Sequence, residues 1–189
     1  MTAPESLDEI ETAIWRELRA CLVDRAHGWR TPVLATTDAG GDADARTLVL
    51  REVVPQRRCL RFFTDARSPK AGQLRHRPRG MLVMWSPALG WQLRLAVRLA
   101  LVADGPEVSA RWQRLAGSPA AADYLSPGAP GSPLEGADVA AEGGGPVAAA
   151  AGHLALVDAT VETIDWLALD ARGHRRARFE PAGARWIQP

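Results

Sequence analysis

From Phe63 to Lys70 the chain reads Phe-Thr-Asp-Ala-Arg-Ser-Pro-Lys, which is the grammar of an anion site. A strand ends there and a helix begins, with Ser68 at the N-cap and Pro69 at the first helical position. Helix N-termini present free N–H groups and a partial positive charge. Thr64 and Ser68 add hydroxyls, and Lys70 adds a full charge. Of the 23 lysines and arginines in the chain, Lys70 is the single lysine, so this position wants a compact ammonium on a flexible stem. Arg46, on a neighbouring strand, can be brought to the same place by sheet pairing. The chemistry on offer is a phosphate cradle; an ordinary capped helix with basic neighbours is the plainer alternative.

A second cluster, Arg172-Gly173-His174-Arg175-Arg176-Ala177-Arg178, sits on a strand. Alternation puts His174, Arg176 and Arg178 on one face and Arg175 on the other. Three cations on one face repel unless an anion or carboxylates neutralise them. A solvated edge strand protected from aggregation would read the same way. The usual catalytic constellations are missing: no G-x-S-x-G, H-E-x-x-H, Walker loop or G-x-G-x-x-G occurs. The four histidines have no metal-ligand spacing, so no metal site and no catalytic residue is assigned.

The elements that position these groups are mostly strands. Ser6 and Glu9 have capping-box spacing, and an apolar stripe from Leu7 to Leu22 predicts a helix to about Arg25. Strands are expected at 31–38, 45–54, 59–64, 79–86, 91–103, 153–166 and 174–180. Short helices are expected at about 69–76 and 107–115. Residues 117–152 show no convincing element, and the Gly/Pro/Ala-rich stretch 126–150 reads as a flexible loop. The expected fold is mainly β with flanking helices: a six- to seven-stranded antiparallel split β-barrel forming one domain over 1–189.

With 189 residues, 47% hydrophobic and 24% charged, the chain can bury an ordinary core without staples. Two cysteines exclude a disulfide framework. No secretory signal is visible at the N-terminus, and the most apolar stretch is broken by Pro87, Gly90, Arg94 and Arg98. A cytoplasmic protein without a membrane span is therefore expected. Net charge is +1, yet residues 46–98 hold twelve basic residues against Glu52 and Asp65. Such a segment suits an anionic ligand, or a nucleic-acid track with Phe62, Phe63, Trp85 and Trp91 as stacking platforms. Their apolar neighbours make these aromatics better core candidates, so nucleic acid is the lesser alternative.

Five segments occur in an order that resembles one family. They are Arg46-Thr47-Leu48-Val49-Leu50-Arg51, Phe62-Phe63-Thr64-Asp65, Ser68-Pro69-Lys70-Ala71, Trp91-Gln92-Leu93-Arg94-Leu95 and Trp166 with Arg172-Gly173-His174-Arg175-Arg176. They are similar to the motifs of the pyridoxamine 5'-phosphate oxidase-like FMN-binding split barrels, over about 30–100 and 155–189. The resemblance implies a homodimer with FMN at the subunit interface and a small-molecule substrate. Arg46, Ser68 and Lys70 would hold the FMN phosphate. Thr47, Leu48, Val49, Leu50, Phe63 and Thr64 would line the flavin and ribityl chain. Gln92 would reach the flavin, and Trp166 and Arg176 would close over it. Arg51, Arg172 and His174 would meet substrate. The chain departs from the family pattern with Arg51 where lysine is usual and Pro69 where arginine is usual. Its 111–119 helix also lacks the oxidase substrate motif. FMN binding is thus better supported than pyridoxamine phosphate oxidation, and a non-catalytic flavin carrier or sensor is the alternative.

Overall fold

The computed structural model describes residues 4–133 and 153–189. Among them, Leu7–Ala20 forms α1, capped as its sequence predicts: Ser6 Oγ accepts from Glu9 N, and the Glu9 carboxylate accepts from Ser6 N. The helix ends earlier than its apolar stripe suggests. Arg30 takes over the terminal carbonyls, donating to Cys21 O and Leu22 O. Gly28 then crosses Trp85 so closely that a Cβ would lie 2.4 Å from the Trp85 carbonyl oxygen.

Nine strands follow among the described residues: β1 (Val33–Thr37), β2 (Ala43–Thr47), β3 (Leu50–Val54), β4 (Cys59–Asp65), β5 (Arg79–Ser86), β6 (Trp91–Val102), β7 (Leu154–Ala168), β8 (Arg175–Glu180) and β9 (Gly183–Ile187). Helices α2 (Pro69–His76) and α3 (Pro106–Leu115) lie between them. The antiparallel barrel architecture is the expected one, with two more strands than anticipated. One arises because the expected 45–54 strand breaks at Leu48–Val49, where Leu48 N and Leu50 N donate to Pro32 O and Arg30 O. The other is β9, which pairs only with β8.

That break closes the barrel. The hydrogen-bonded path runs β2-β1-β5-β6-β7-β4-β3, so its two end strands are the consecutive β2 and β3, joined through Leu48–Val49. β7 provides the split. Along one edge it pairs with β6, from Leu156 to Ala168. Along the other it pairs first with β4, through Thr160, and then with β8, from Ile164. Glu162 is the extra residue of a bulge where the partner changes, a device that bends a strand and ends a ladder.

Ile10, Ile14 and Leu18 of α1 share one buried core with Trp29, Phe62, Leu82, Met84, Leu93, Leu95 and Trp166. A smaller cluster joins Val108, Trp112 and Leu115 of α3 to Tyr124, Leu154 and Leu156. It corrects the sequence expectation for 117–125. Pro119–Tyr124 forms a 3-10 helix, held by Tyr124 edge-on to Trp112 at 6.3 Å between ring centres. Residues 126–133 carry no regular element; the rest of the expected 126–150 loop lies outside the described residues.

Candidate functional site

At the end of β4 the chain turns directly into α2, and three side chains form a short relay. Lys70 Nζ donates to Thr64 Oγ1 at 3.0 Å, Thr64 Oγ1 lies 3.4 Å from Ser68 Oγ, and Ser68 Oγ donates to Asp65 O at 2.7 Å. Thr64 and Ser68 are buried and Lys70 is half-buried. Ser68 sits at the N-cap position as expected, but its hydroxyl turns back to Asp65 instead of capping. The nearby carboxylate of Asp65 is committed to Arg67, whose Nη2 lies 2.6 Å from Oδ2. Arg67 also ties the 126–127 backbone to this corner. Among the described residues, Lys70 therefore has no carboxylate within ion-pair distance. Burial first, and then the charge of Arg46, push its pKa below the ordinary lysine value.

Arg46 on β2 comes to the same corner. Its Nη1 donates to Thr36 Oγ1 at 2.5 Å and Leu34 O at 3.4 Å. Its Nη2 donates to Gln73 Oε1 at 3.0 Å and pairs with the Asp44 carboxylate. Gln73 Nε2 donates to Asp44 Oδ2 at 2.7 Å. The Gln73 hydrogen bond, and then Arg46, hold the Asp44 carboxyl below the usual range. Asp44 and Gln73 were not among the residues singled out from the sequence. Their spacings, two before Arg46 on a strand and three after Lys70 on a helix, do put them on the faces of those residues.

Leu48 and Leu50 are buried beside the break, Val49 is half-buried and Thr47 is exposed. Arg51 is the extra residue of a second bulge, between Leu50 and Glu52, and lies over the Phe63 ring at 5.8 Å. The remaining expected site residues are elsewhere. Strand register aligns Trp85, Gln92, Leu167, Arg176 and Ile187 in one row across β5 to β9. Arg176 and Gln92 thus share a face. Arg176 is paired with Asp165, Nη2 to Oδ2 2.7 Å. Trp166 points to the opposite face and is fully buried, edge-on to Trp91 at 5.2 Å and beneath the Arg175 guanidinium. Arg172 lies on the turn after β7, its side chain 87% exposed and paired with Asp170. His174 Nδ1 accepts from Asp170 N at 3.3 Å.

The two groups of residues are far apart. Thr64 is paired with Ala155 and Arg176 with Leu167, at opposite ends of β7, roughly 40 Å apart along an extended strand. The basic 46–98 segment is also not a continuous track. Arg58 pairs with Glu11, Arg61 with Asp158 and Glu107, Arg94 with Asp165, and Arg79 and Arg98 with Glu162. Phe62 and Trp91 are core residues rather than stacking platforms, whereas Trp85, also expected in the core, is exposed because it lies on the outer face of β5.

Residues 12–103 match the family described as pyridoxamine 5'-phosphate oxidase, FMN-binding domain. Over that stretch, just under half of the chain, the protein resembles the pyridoxamine 5'-phosphate oxidase-like family. Solved structures agree on the fold. A pyridoxamine 5'-phosphate oxidase-related, FMN-binding protein of Nostoc punctiforme is 24% identical, with 99% of this chain and 100% of that one covered and a TM-score of 0.72. PhzG of Burkholderia lata, solved with tetrahydrophenazine-1-carboxylic acid, is 17% identical over 95% and 92%, with a TM-score of 0.73. A general stress protein 26-related protein of Clostridium acetobutylicum is 10% identical over 86% and 94%, with a TM-score of 0.52. No curated protein matches the chain. No helix among the described residues is long and apolar enough to cross a membrane.

Proposed function

We propose that this chain is a single FMN-binding domain that works as a cytoplasmic, flavin-dependent oxidoreductase on a small molecule. The observation that supports it best is Lys70. A half-buried ammonium whose described partner is one hydroxyl, beside buried Thr64 and Ser68, is a site made for an anion. The FMN phosphate fits it in charge and in donor type. Lys70, Ser68, Thr64 and Arg46 would hold that phosphate. Thr47 to Leu50, with Phe63, would line the rest of the cofactor, and Arg51 would face the substrate. When bound, FMN supplies the ring that accepts a hydride or electrons. The protein binds, orients and excludes water.

Gln92 and Arg176 cannot join the Lys70 corner of their own chain, because β7 separates them. A homodimer in which a second copy brings its Gln92–Arg176 row to the first copy's cradle satisfies both ends, and two-fold closure is the commonest soluble assembly. A flavin carrier without turnover is the second reading. It is favoured by Arg172, which sits on an exposed turn already paired with Asp170.

Titrating the purified protein with FMN tests the proposal: flavin fluorescence should quench on binding, and the complex should have dimeric mass. Failure to bind FMN overturns it. Anaerobic addition of NAD(P)H, pyridoxamine 5'-phosphate or a reduced phenazine acid separates enzyme from carrier, since only an enzyme bleaches the bound flavin at a catalytic rate.

A further inference from the structure

The Arg46 guanidinium is already fully engaged at its tips. Arginine has two N–H groups on each terminal nitrogen and one on Nε. Nη1 serves Thr36 and Leu34, and Nη2 serves Gln73 and Asp44, which accounts for all four terminal donors. The paired fork that arginine normally offers to a phosphate is spent inside the protein. Three of these acceptors are fixed: a backbone carbonyl in β1, a buried threonine, and a glutamine oxygen that also accepts from that threonine. The fourth differs. The Asp44 side chain is 44% exposed, against 16% for Arg46, so it alone can leave for water at little cost.

Asp44 Oδ2 is held by two donors at once, Arg46 Nη2 and Gln73 Nε2. That is an anionic oxygen in a two-donor seat, and one of its donors, Gln73, follows Lys70 by three residues on α2. We infer that Asp44 is a resident counter-ion for this seat, that phosphate binds by exchanging one of its oxygens for Asp44 Oδ2, and that Gln73 is the additional phosphate ligand released by the exchange. The inference rests on the phosphate site proposed above. It makes Asp44 a determinant of affinity: each binding event first gives up a carboxylate–guanidinium pair, and the displaced carboxylate then repels the incoming anion.

Asp44→Ala vacates the seat and leaves both donors in place. It should bind FMN and inorganic phosphate about two- to fivefold more tightly than the parent, the scale of a solvent-facing ion pair. Riboflavin, without phosphate, should bind unchanged. The gain should shrink in high salt, which screens the exposed Asp44 charge. Adding Gln73→Ala to Asp44→Ala should abolish the gain. Asp44→Asn, which keeps the side-chain shape, should give a smaller gain and serves if the alanine variant folds poorly. If the parent binds FMN and both Asp44 variants bind it equally or more weakly, Asp44 merely orients Arg46, and the exchange is refuted while the FMN proposal stands. If no variant binds FMN but Asp44→Ala gains affinity for inorganic phosphate, the exchange stands and the FMN proposal falls. If neither FMN nor phosphate binds any variant, both fall.

Discussion

The two ends of β7 handle positive charge in opposite ways. At the far end, Arg176 pairs with Asp165, Arg178 with Glu180, and Arg172 with Asp170. There the carboxylates that would quiet a row of cations are built in. At the near end, burial lowers the pKa of Lys70, and among the described residues its hydrogen-bond partner is a single hydroxyl. Counting cations marks both ends equally; asking which cation is held by a single hydroxyl among the described residues marks the near one. Arg46 is intermediate, neutralised by a carboxylate that solvent can reach.

The largest effect expected from breaking this contrast is structural. Trp166→Ala should cost about 3–5 kcal/mol of stability, because it removes a fully buried aromatic from the far-end core. Thermal or denaturant unfolding would measure it. A variant of parental stability that has lost only FMN affinity would show that Trp166 faces the cofactor after all. Next comes the near end: Lys70→Ala should weaken FMN about 10- to 150-fold, from the loss of roughly 1.5–3 kcal/mol of charge-assisted bonding. Riboflavin affinity should hold, and equal losses for both ligands would contradict the phosphate assignment. Arg176→Ala should have a smaller effect, about tenfold or less on FMN, since its guanidinium is already committed to Asp165. Arg57→Ala, at an exposed turn, should change stability and FMN affinity by less than about 0.5 kcal/mol.

Titration sharpens the comparison further. The pKa of Lys70 is lowered in the folded protein, so the free protein is penalised for carrying the charge at neutral pH. That penalty lifts as pH rises through the lowered value toward the ordinary one. A bound phosphate reverses the preference and favours the ammonium. FMN affinity should therefore fall on alkaline titration, beginning below the usual lysine range, and Lys70→Arg should push that fall to higher pH. A pH-independent affinity through this range would remove Lys70 from the phosphate.

What the sequence made legible was local. The capping box of α1, the strand-to-helix turn at 64–70 and the singular Lys70 all lie within a few residues of their partners. Asp44 and Gln73 were within reach of the same periodicity. Register was beyond it: Trp166 and Arg176 share a motif, but Trp166 pairs with Ala177 and Arg176 with Leu167, so they face opposite ways. The 3-10 helix at Pro119–Tyr124 packs on Trp112 and on β7 residues far along the chain, and the quieting of the basic segment comes from acids as remote as Glu107, Asp158 and Glu162. Among the described strands, β9 is hydrogen-bonded to β8 alone.

The position of β7 has a consequence for how the chain is made. β4 and β6 are both synthesised long before it, and each keeps an edge that only β7 covers. Until residue 168 leaves the ribosome, the nascent barrel has two open strand edges, the kind of template that recruits other chains. The Arg61–Asp158 pair spans 97 positions, so this closure is among the least local contacts in the molecule, and contacts of that kind form slowly. A ribosome pausing between β6 and β7 would hold an open barrel, and a chain released there would meet its neighbours edge first.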